Sequence, residues 1–349
     1  MNKFIDLLFM KIFKNILFLI STYLCLSLST LFSQNPDSTS IKNFDSIKLR
    51  QADSIRNFVK SHKLEYDSVV IFKNLKYKNT VASDSIDNML DVYLPAKLQR
   101  NKNYPLIFFL HGGGWNSGDK SFSLQKIKTI LDSGFIFIST NYRLSPNPVQ
   151  LNNSKRIKFP DHLEDVDESL VYSLSFLDNL NIDISKVILM GHSAGGNLAV
   201  SLVTMPRYVK HFNEIMKKVR GVVDLDGIAL NIPSFINSIN GSYKNWFINA
   251  FGNNTDELIA ASPIFNFPKK KKIPDILLIS QNNSKRIKFY NEFKDSLLKF
   301  DNNVIVYIAN TFNHNQILMN FCDFSNETSK EYTKLIFSFI KDCLRKNYK

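Results

Sequence analysis

The chain has 349 residues, 44% of them hydrophobic, and a formal charge of +13. That is enough apolar material for one substantial core, and the motif order below favours one large α/β domain over two small ones. The scattered lysines, with one run at Lys269–Lys272, come with no nucleic-acid-binding signature, so the excess reads as solvated surface rather than a polyanion site.

The first thirty-odd residues read as a leader. Lys3, Lys11 and Lys14 make a basic start, Ile16–Phe32 is an uncharged, mostly apolar run, and Ser33-Gln34-Asn35-Pro36 is a polar break. This is the shape of a secretory signal peptide over residues 1–33, cleaved after Ser33, and it predicts a secreted or periplasmic protein. An uncleaved membrane anchor is the rival, because the run is only slightly short for a span. Cys25 lies inside the run, but Thr22-Tyr23-Leu24 before it lacks the small residue of a lipoprotein site. After the leader only Cys322 and Cys343 remain, which is no disulfide framework and no metal spacing; a single disulfide and two free buried thiols are both open. Residues 34–67 read as a polar N-terminal extension, with a short surface helix over Ser46–Lys63.

From residue 68 to 349 the pattern is that of a folded domain. Short apolar runs recur at Val69–Phe72, Leu90–Leu94, Leu106–Leu110, Phe135–Thr140, Val187–Met190, Val222–Leu225, Ile276–Ser280 and Val304–Ala309. Several are continuous rather than alternating, which suits strands covered on both faces of a mostly parallel sheet of about eight strands. Helix-like stretches lie between them, at Ser121–Leu131, Leu163–Leu180, Asn197–Met205, Tyr290–Phe300 and Ser329–Leu344, and the alternation implies an α/β fold. Residues 228–268 break it: they hold Trp246 and several Phe but no strand, and read as a small cap over the C-terminal strand edge, where ligands bind. The octapeptide Asn152–Phe159 recurs letter for letter at Asn282–Phe289. Two copies imply no repeat architecture.

Glycine is scarce, twelve in all, and seven of the twelve fall at 112–118 and 191–196, each directly after an apolar run. The second cluster, Gly191-His192-Ser193-Ala194-Gly195-Gly196, sits between a strand and a helix. GxSxG there is a nucleophile elbow, which forces Ser193 out at the sheet edge beside a helix N-terminus. The first, His111-Gly112-Gly113-Gly114-Trp115, can aim the amides of Gly113 and Gly114 at a carbonyl oxygen, with Ala194 completing an oxyanion hole. Either cluster alone is compatible with a tight turn. Both, in this order, point to catalysis.

With these motifs the sequence resembles the α/β-hydrolase superfamily, in particular its carboxylesterase, lipase and arylformamidase-like branch bearing HGGGW and GHSAGG. Asn141-Tyr142-Arg143-Leu144-Ser145-Pro146, Phe159-Pro160 with Asp165, and Ala261-Ser262-Pro263-Ile264 extend the likeness, which covers residues 68–342. The resemblance implies a serine hydrolase and a catalytic histidine in a loop after the last strand, where His314 stands. The chain order of Ser, acid, then His agrees. His62, His111, His162, His192 and His211 fit that role less well; His111 reads as structural, and His192 would point away from the Ser. The acid departs from the pattern: the stretch after Ile276–Ser280, where relatives carry Asp, reads Gln281-Asn282-Asn283-Ser284-Lys285 with no carboxylate. Either Asp226, at the end of the preceding strand, serves, or there is no acid and Asn282 or Asn283 orients the imidazole. Without that role, Asp226 is a turn residue capping the loop that follows.

The expected reaction is hydrolysis of a carboxylic ester, in a small molecule or linked to a polymer, through an acyl-enzyme at Ser193. No cofactor, metal or nucleic acid is implied, and membrane contact only if the leader stays uncleaved. Amide or formamide hydrolysis, and a catalytically impaired binding module of the same fold, are the alternatives. The sequence sets no oligomeric state.

Overall fold

The computed structural model describes residues 63–66, 68–78, 86–98 and 102–346. The expected leader, most of the extension and His62 lie outside these residues, as does the expected helix at 46–63 apart from Lys63.

Among the described residues nine strands form one sheet: β1 (Lys63–Tyr66), β2 (Val69–Lys76), β3 (Met89–Pro95), β4 (Leu106–Leu110), β5 (Ile136–Thr140), β6 (Val187–His192), β7 (Val219–Leu225), β8 (Asp275–Gln281) and β9 (Val304–Ala309). Their order is β1-β2-β3-β5-β4-β6-β7-β8-β9. The pairs from β5 to β9 are parallel, and β1, β2 and β3 are antiparallel to their neighbours. The fold is the expected α/β-hydrolase fold, and each of the eight apolar runs forms a strand, with only Phe135 falling just before its own. The ninth strand corrects the domain boundary. Lys63–Tyr66 falls in the stretch assigned to the extension, yet it pairs with β2 from Lys63↔Phe72 to Tyr66↔Val69. Four residues without an apolar run give no periodic signal; the hairpin through Ser68, at φ 69°, makes them a strand.

The helices are α1 (Leu124–Asp132), α2 (Asp161–Asn179), α3 (Ala194–Thr204), α4 (Phe212–Lys218), α5 (Ile232–Asn237), α6 (Gly241–Phe251), α7 (Thr255–Ala260), α8 (Pro263–Asn266), α9 (Ser284–Leu298), α10 (His314–Met319) and α11 (Glu327–Arg345). Alternation along the buried strands divides the core. Leu106, Phe108 and Leu110 of β4 face α2, α3, α4 and α9. Ile107 and Phe109 face α1, α10 and α11. A sheet buried on both faces explains why the strands read as continuous apolar runs. Cys322 and Cys343 are free and buried, and burial pushes both thiols up to about 12. Among the described residues no helix is long and apolar enough to cross a membrane.

Candidate active site

The site forms where the C-terminal ends of β4, β6, β7 and β8 meet the loop after β9. Ser193 occupies the turn between β6 and α3 at φ 54°, ψ −119°, a conformation rare for a residue with a side chain. The surrounding glycines permit it. A Cβ at Gly195 would stand 2.1 Å from the carbonyl oxygen of Leu110, so only glycine lets α3 press against the end of β4. The turn is tied to the next strand by the Ser193 amide, which donates to the Leu225 carbonyl at 3.0 Å.

His314 and Asp226 complete a chain of hydrogen bonds. His314 Nε2 lies 3.0 Å from Ser193 Oγ, and His314 Nδ1 lies 2.6 Å from Asp226 Oδ2. His314 is the first residue of α10 rather than part of a loop. Asn313 caps the helix, accepting from the Gln316 amide at 3.0 Å while Gln316 Oε1 accepts from the Asn313 amide at 3.0 Å. Lys126 clamps the other end, donating to the carbonyls of Leu318 at 3.1 Å and Phe321 at 2.5 Å. The sequence did carry a signal for this helix: Asn followed three residues later by Gln is a capping box.

Asp226 is fully buried, and the structure explains the missing carboxylate after β8. Parallel pairing of β7 with β8, continued by the Asp226 amide on the Ile279 carbonyl at 2.8 Å, sets Asp226 beside Gln281. The Gln281 amide donates to Asp226 Oδ1 at 3.0 Å and its side chain to Oδ2 at 3.1 Å. Arg286 Nη1 stands 3.3 Å from Asp226 Oδ2 and donates to the Asp226 carbonyl at 3.0 Å. Asn283 takes no part: its side chain caps α9 by accepting from the Arg286 amide at 3.1 Å. Gln281 and Arg286 were missed by sequence reading, because neither belongs to a motif and both act through the β7–β8 pairing.

The glycine loop after β4 faces the elbow. Gly113 is at φ 115° and Gly114 at φ 61°; a Cβ at Gly113 would lie 2.1 Å from the Ser117 carbonyl oxygen. Among the described residues no hydrogen bond within the chain occupies the amides of Gly113, Gly114 or Ala194. His111 supports the loop from behind, with its ring stacked on Tyr142 at 4.4 Å and its carbonyl accepting from Tyr142 Oη at 2.9 Å. Arg143 then ties that segment to α2 through Asp165 at 2.7 Å and Asp161 at 3.0 Å.

His192 does more than point away from the serine. Its Nε2 lies 2.9 Å from the His314 carbonyl, and the two rings pack at 4.7 Å. Burial first, and the neighbouring His314 second, push His192 down to about 4, so it donates that hydrogen bond as a neutral imidazole near pH 7.

The 228–268 interval holds α5 to α8 and lies against the glycine loop. Buried Trp115 packs on Phe251 at 4.7 Å and Phe247 at 5.5 Å, and an exposed Trp246 ring carbon stands 3.7 Å from where a Gly114 Cβ would be. Arg156 anchors α6 by donating to the carbonyls of Asn249 at 3.0 Å and Ile248 at 3.1 Å. A separate groove of about 930 Å³ lies between β9 and α11, and none of Ser193, His314 or Asp226 lines it. Among the described residues no group of three or more His, Cys, Asp or Glu is placed to hold a metal ion.

Residues 90–290, more than half of the chain, match the BD-FAE family model. The chain belongs to the BD-FAE family. This BD-FAE member is similar to a probable carboxylic ester hydrolase, LipM, of Mycobacterium tuberculosis (29% identical over 146 residues, 40% of this chain and 32% of that protein). It is also similar to arylacetamide deacetylase of Bos taurus (30% over 154 residues, 42% of this chain and 36% of that protein). The matches thus span about a third of the length of these curated relatives. Among solved structures, esterase B of Lactobacillus Rhamnosis (HN001) superposes with a TM-score of 0.62 at 17% identity, covering 87% of this chain and 95% of that one. A truncated carbohydrate esterase from gut microbiota superposes at 0.60 and 22% identity, covering 81% and 100%. These likenesses show the fold.

Proposed function

We propose that this protein hydrolyses carboxylic esters through an acyl-enzyme on Ser193. One observation carries the reading: an unbroken hydrogen-bond chain from Ser193 Oγ through His314 to Asp226, beside a glycine loop in which a Cβ at Gly112 would lie 3.0 Å from the Ser193 Cβ. His314 Nε2 takes the Ser193 proton as Oγ attacks the ester carbonyl, while Nδ1–H stays on Asp226, which fixes the tautomer and stabilises the imidazolium. Gly113, Gly114 and Ala194 hold the oxyanion. The tetrahedral centre then expels the alcohol, which takes its proton from His314. Water, deprotonated by the same imidazole, releases the carboxylic acid and restores Ser193.

The α5–α8 interval acts as a cap, with the Trp246 face beside Gly114 as an apolar wall for the acyl or alcohol group. The substrate is a small or polymer-linked ester, and neither nucleic acid nor cofactor takes part. The basic start and apolar run before Ser33 support export, with membrane attachment if the leader is retained; the N-terminal sequence of the mature protein tests this.

A fluorophosphonate probe should label wild-type protein at Ser193, and p-nitrophenyl butyrate should turn over. Folded wild-type protein that neither takes the probe nor turns over would overturn the reading. The arylacetamide deacetylase match favours a second reading, amide hydrolysis by the same steps. Matched ester and anilide substrates separate the two.

A further inference from the structure

The residues behind the acid are as deliberately arranged as the acid itself. Asp226 is fully buried and in the left-handed region at φ 54°, so its direction has to be imposed by its surroundings. Four groups converge on its carboxylate: His314, the Gln281 amide, the Gln281 side chain and the Arg286 guanidinium. Arg286 is itself only 13% exposed. It grips Asp226 twice, at the carboxylate and, at 3.0 Å, at the backbone carbonyl, with the Gly227 carbonyl at 3.5 Å as a third acceptor.

We propose that Arg286 and Gln281 are positioning residues for the reaction, holding the Asp226 carboxylate in register with His314 and balancing its charge. This rests on the catalytic reading of Ser193, His314 and Asp226. The two divide the task. Gln281, neutral, supplies two donors on the strand that neighbours Asp226 and so sets where the carboxylate points. Arg286, a fixed cation, offsets the negative charge of Asp226. It also opposes a positive imidazole at His314, since both groups stand on Asp226 Oδ2, Arg286 Nη1 at 3.3 Å and His314 Nδ1 at 2.6 Å.

The consequence is a pH signature. Arg286 favours both charge states that catalysis needs, ionised Asp226 and neutral His314. Removing its charge therefore moves the acidic limb of the kcat/KM profile to higher pH, whichever group limits. The other titratable groups facing Asp226 have their midpoints outside the range from pH 5 to 7.5. His192 is pushed down to about 4 by burial, and Asp224 is pushed up to about 8 by burial. The hydroxyls of Tyr243, Tyr290 and Tyr332 are raised from their usual range, again by burial first.

The test uses Arg286→Met, Arg286→Lys and Gln281→Met in the full chain. Each is checked for its melting transition and for Ser193 labelling, then assayed on p-nitrophenyl butyrate from pH 5 to 7.5. Arg286→Met should lower kcat roughly tenfold with KM little changed, well short of the ~10⁴ expected from losing the acid. Its acidic limb should move to higher pH, as loss of an opposite charge beside the carboxylate requires. Arg286→Lys should restore the limb. Gln281→Met should lower kcat and move the limb by less than Arg286→Met does, because it removes one neutral donor rather than a charge. Should Arg286→Met not fold, the Lys and Gln281 variants carry the test: a Lys limb shifted like a neutral substitution, or unchanged kcat in Gln281→Met, overturns the proposal. So does a folded Arg286→Met enzyme with a wild-type profile. Wild-type protein that neither turns over nor labels would instead overturn the catalytic reading beneath it, and this proposal with it.

Discussion

Replacing Asp226 by Asn is the sharpest test of the site, because the amide cannot satisfy the donors that the carboxylate accepts. Oδ1 takes the Gln281 amide at 3.0 Å, and Oδ2 takes His314 Nδ1 at 2.6 Å and Gln281 Nε2 at 3.1 Å. If the Asn oxygen sits at Oδ1, its NH₂ faces His314 and drives the imidazole into the tautomer with the proton on Nε2, which cannot accept from Ser193. If it sits at Oδ2, the NH₂ opposes the Gln281 N–H inside a buried site, at roughly 1–3 kcal/mol for the lost pairing. Either way the charge that stabilises the imidazolium is gone. The expected loss is about 10⁴ in kcat, or about 5.4 kcal/mol of barrier, with substrate binding little changed. Steady-state kinetics on p-nitrophenyl butyrate, with circular dichroism to confirm the fold, measure it. Asp226→Asn within tenfold of wild type would refute the assignment, the more so if Asn282→Ala or Asn283→Ala were the damaging change.

Three further outcomes follow from the packing. Gly195→Ala should destabilise the chain by at least the ~1–3 kcal/mol of ordinary overpacking, because its Cβ meets backbone at Leu110 rather than a movable side chain; it should also abolish Ser193 labelling, read from urea midpoints and probe uptake. His162, fully buried with Nε2 3.0 Å from Ser145 Oγ, is pushed down to about 3 by burial, against 6.5 for a free imidazole. Between those values the unfolded chain binds a proton that the folded chain does not, so stability is whole above pH 6.5 and drains as pH falls toward 3. The urea midpoint should drop from pH 7 to pH 5, and His162→Asn should flatten the slope. Asp224 has the opposite sign. Its buried carboxyl titrates near 8, above the 3.8 of an unfolded Asp, so its contribution is lost as pH rises through 8. Asp224→Asn, which keeps an acceptor for the Gly227 amide at 2.6 Å, should raise the melting temperature more at pH 8.5 than at pH 5.

Much of this protein was legible in the sequence, because its strands are buried on both faces and its chemistry uses backbone. Continuous apolar runs marked eight strands, and glycines concentrated after β4 and β6 marked the two turns where side chains do not fit. Ser193, Gly113, Gly114 and Ala194 were thus set by local rules. The acid was not. Choosing Asp226 over Asn282 or Asn283 needed the register of β7 on β8, a contact between residues more than fifty positions apart, and Gln281 and Arg286 acquire meaning only there. The repeated octapeptide makes the same point with identical letters. Asn152–Phe159 ends at Pro160, which disfavours helix at Phe159, and its Arg156 turns to the carbonyls of α6. Asn282–Phe289 runs on into Tyr290 without a breaker, becomes the start of α9 under the Asn283 cap, and delivers Arg286 to Asp226. Eight residues hold too little energy to choose their own conformation, so the neighbours that satisfy their polar groups choose it for them.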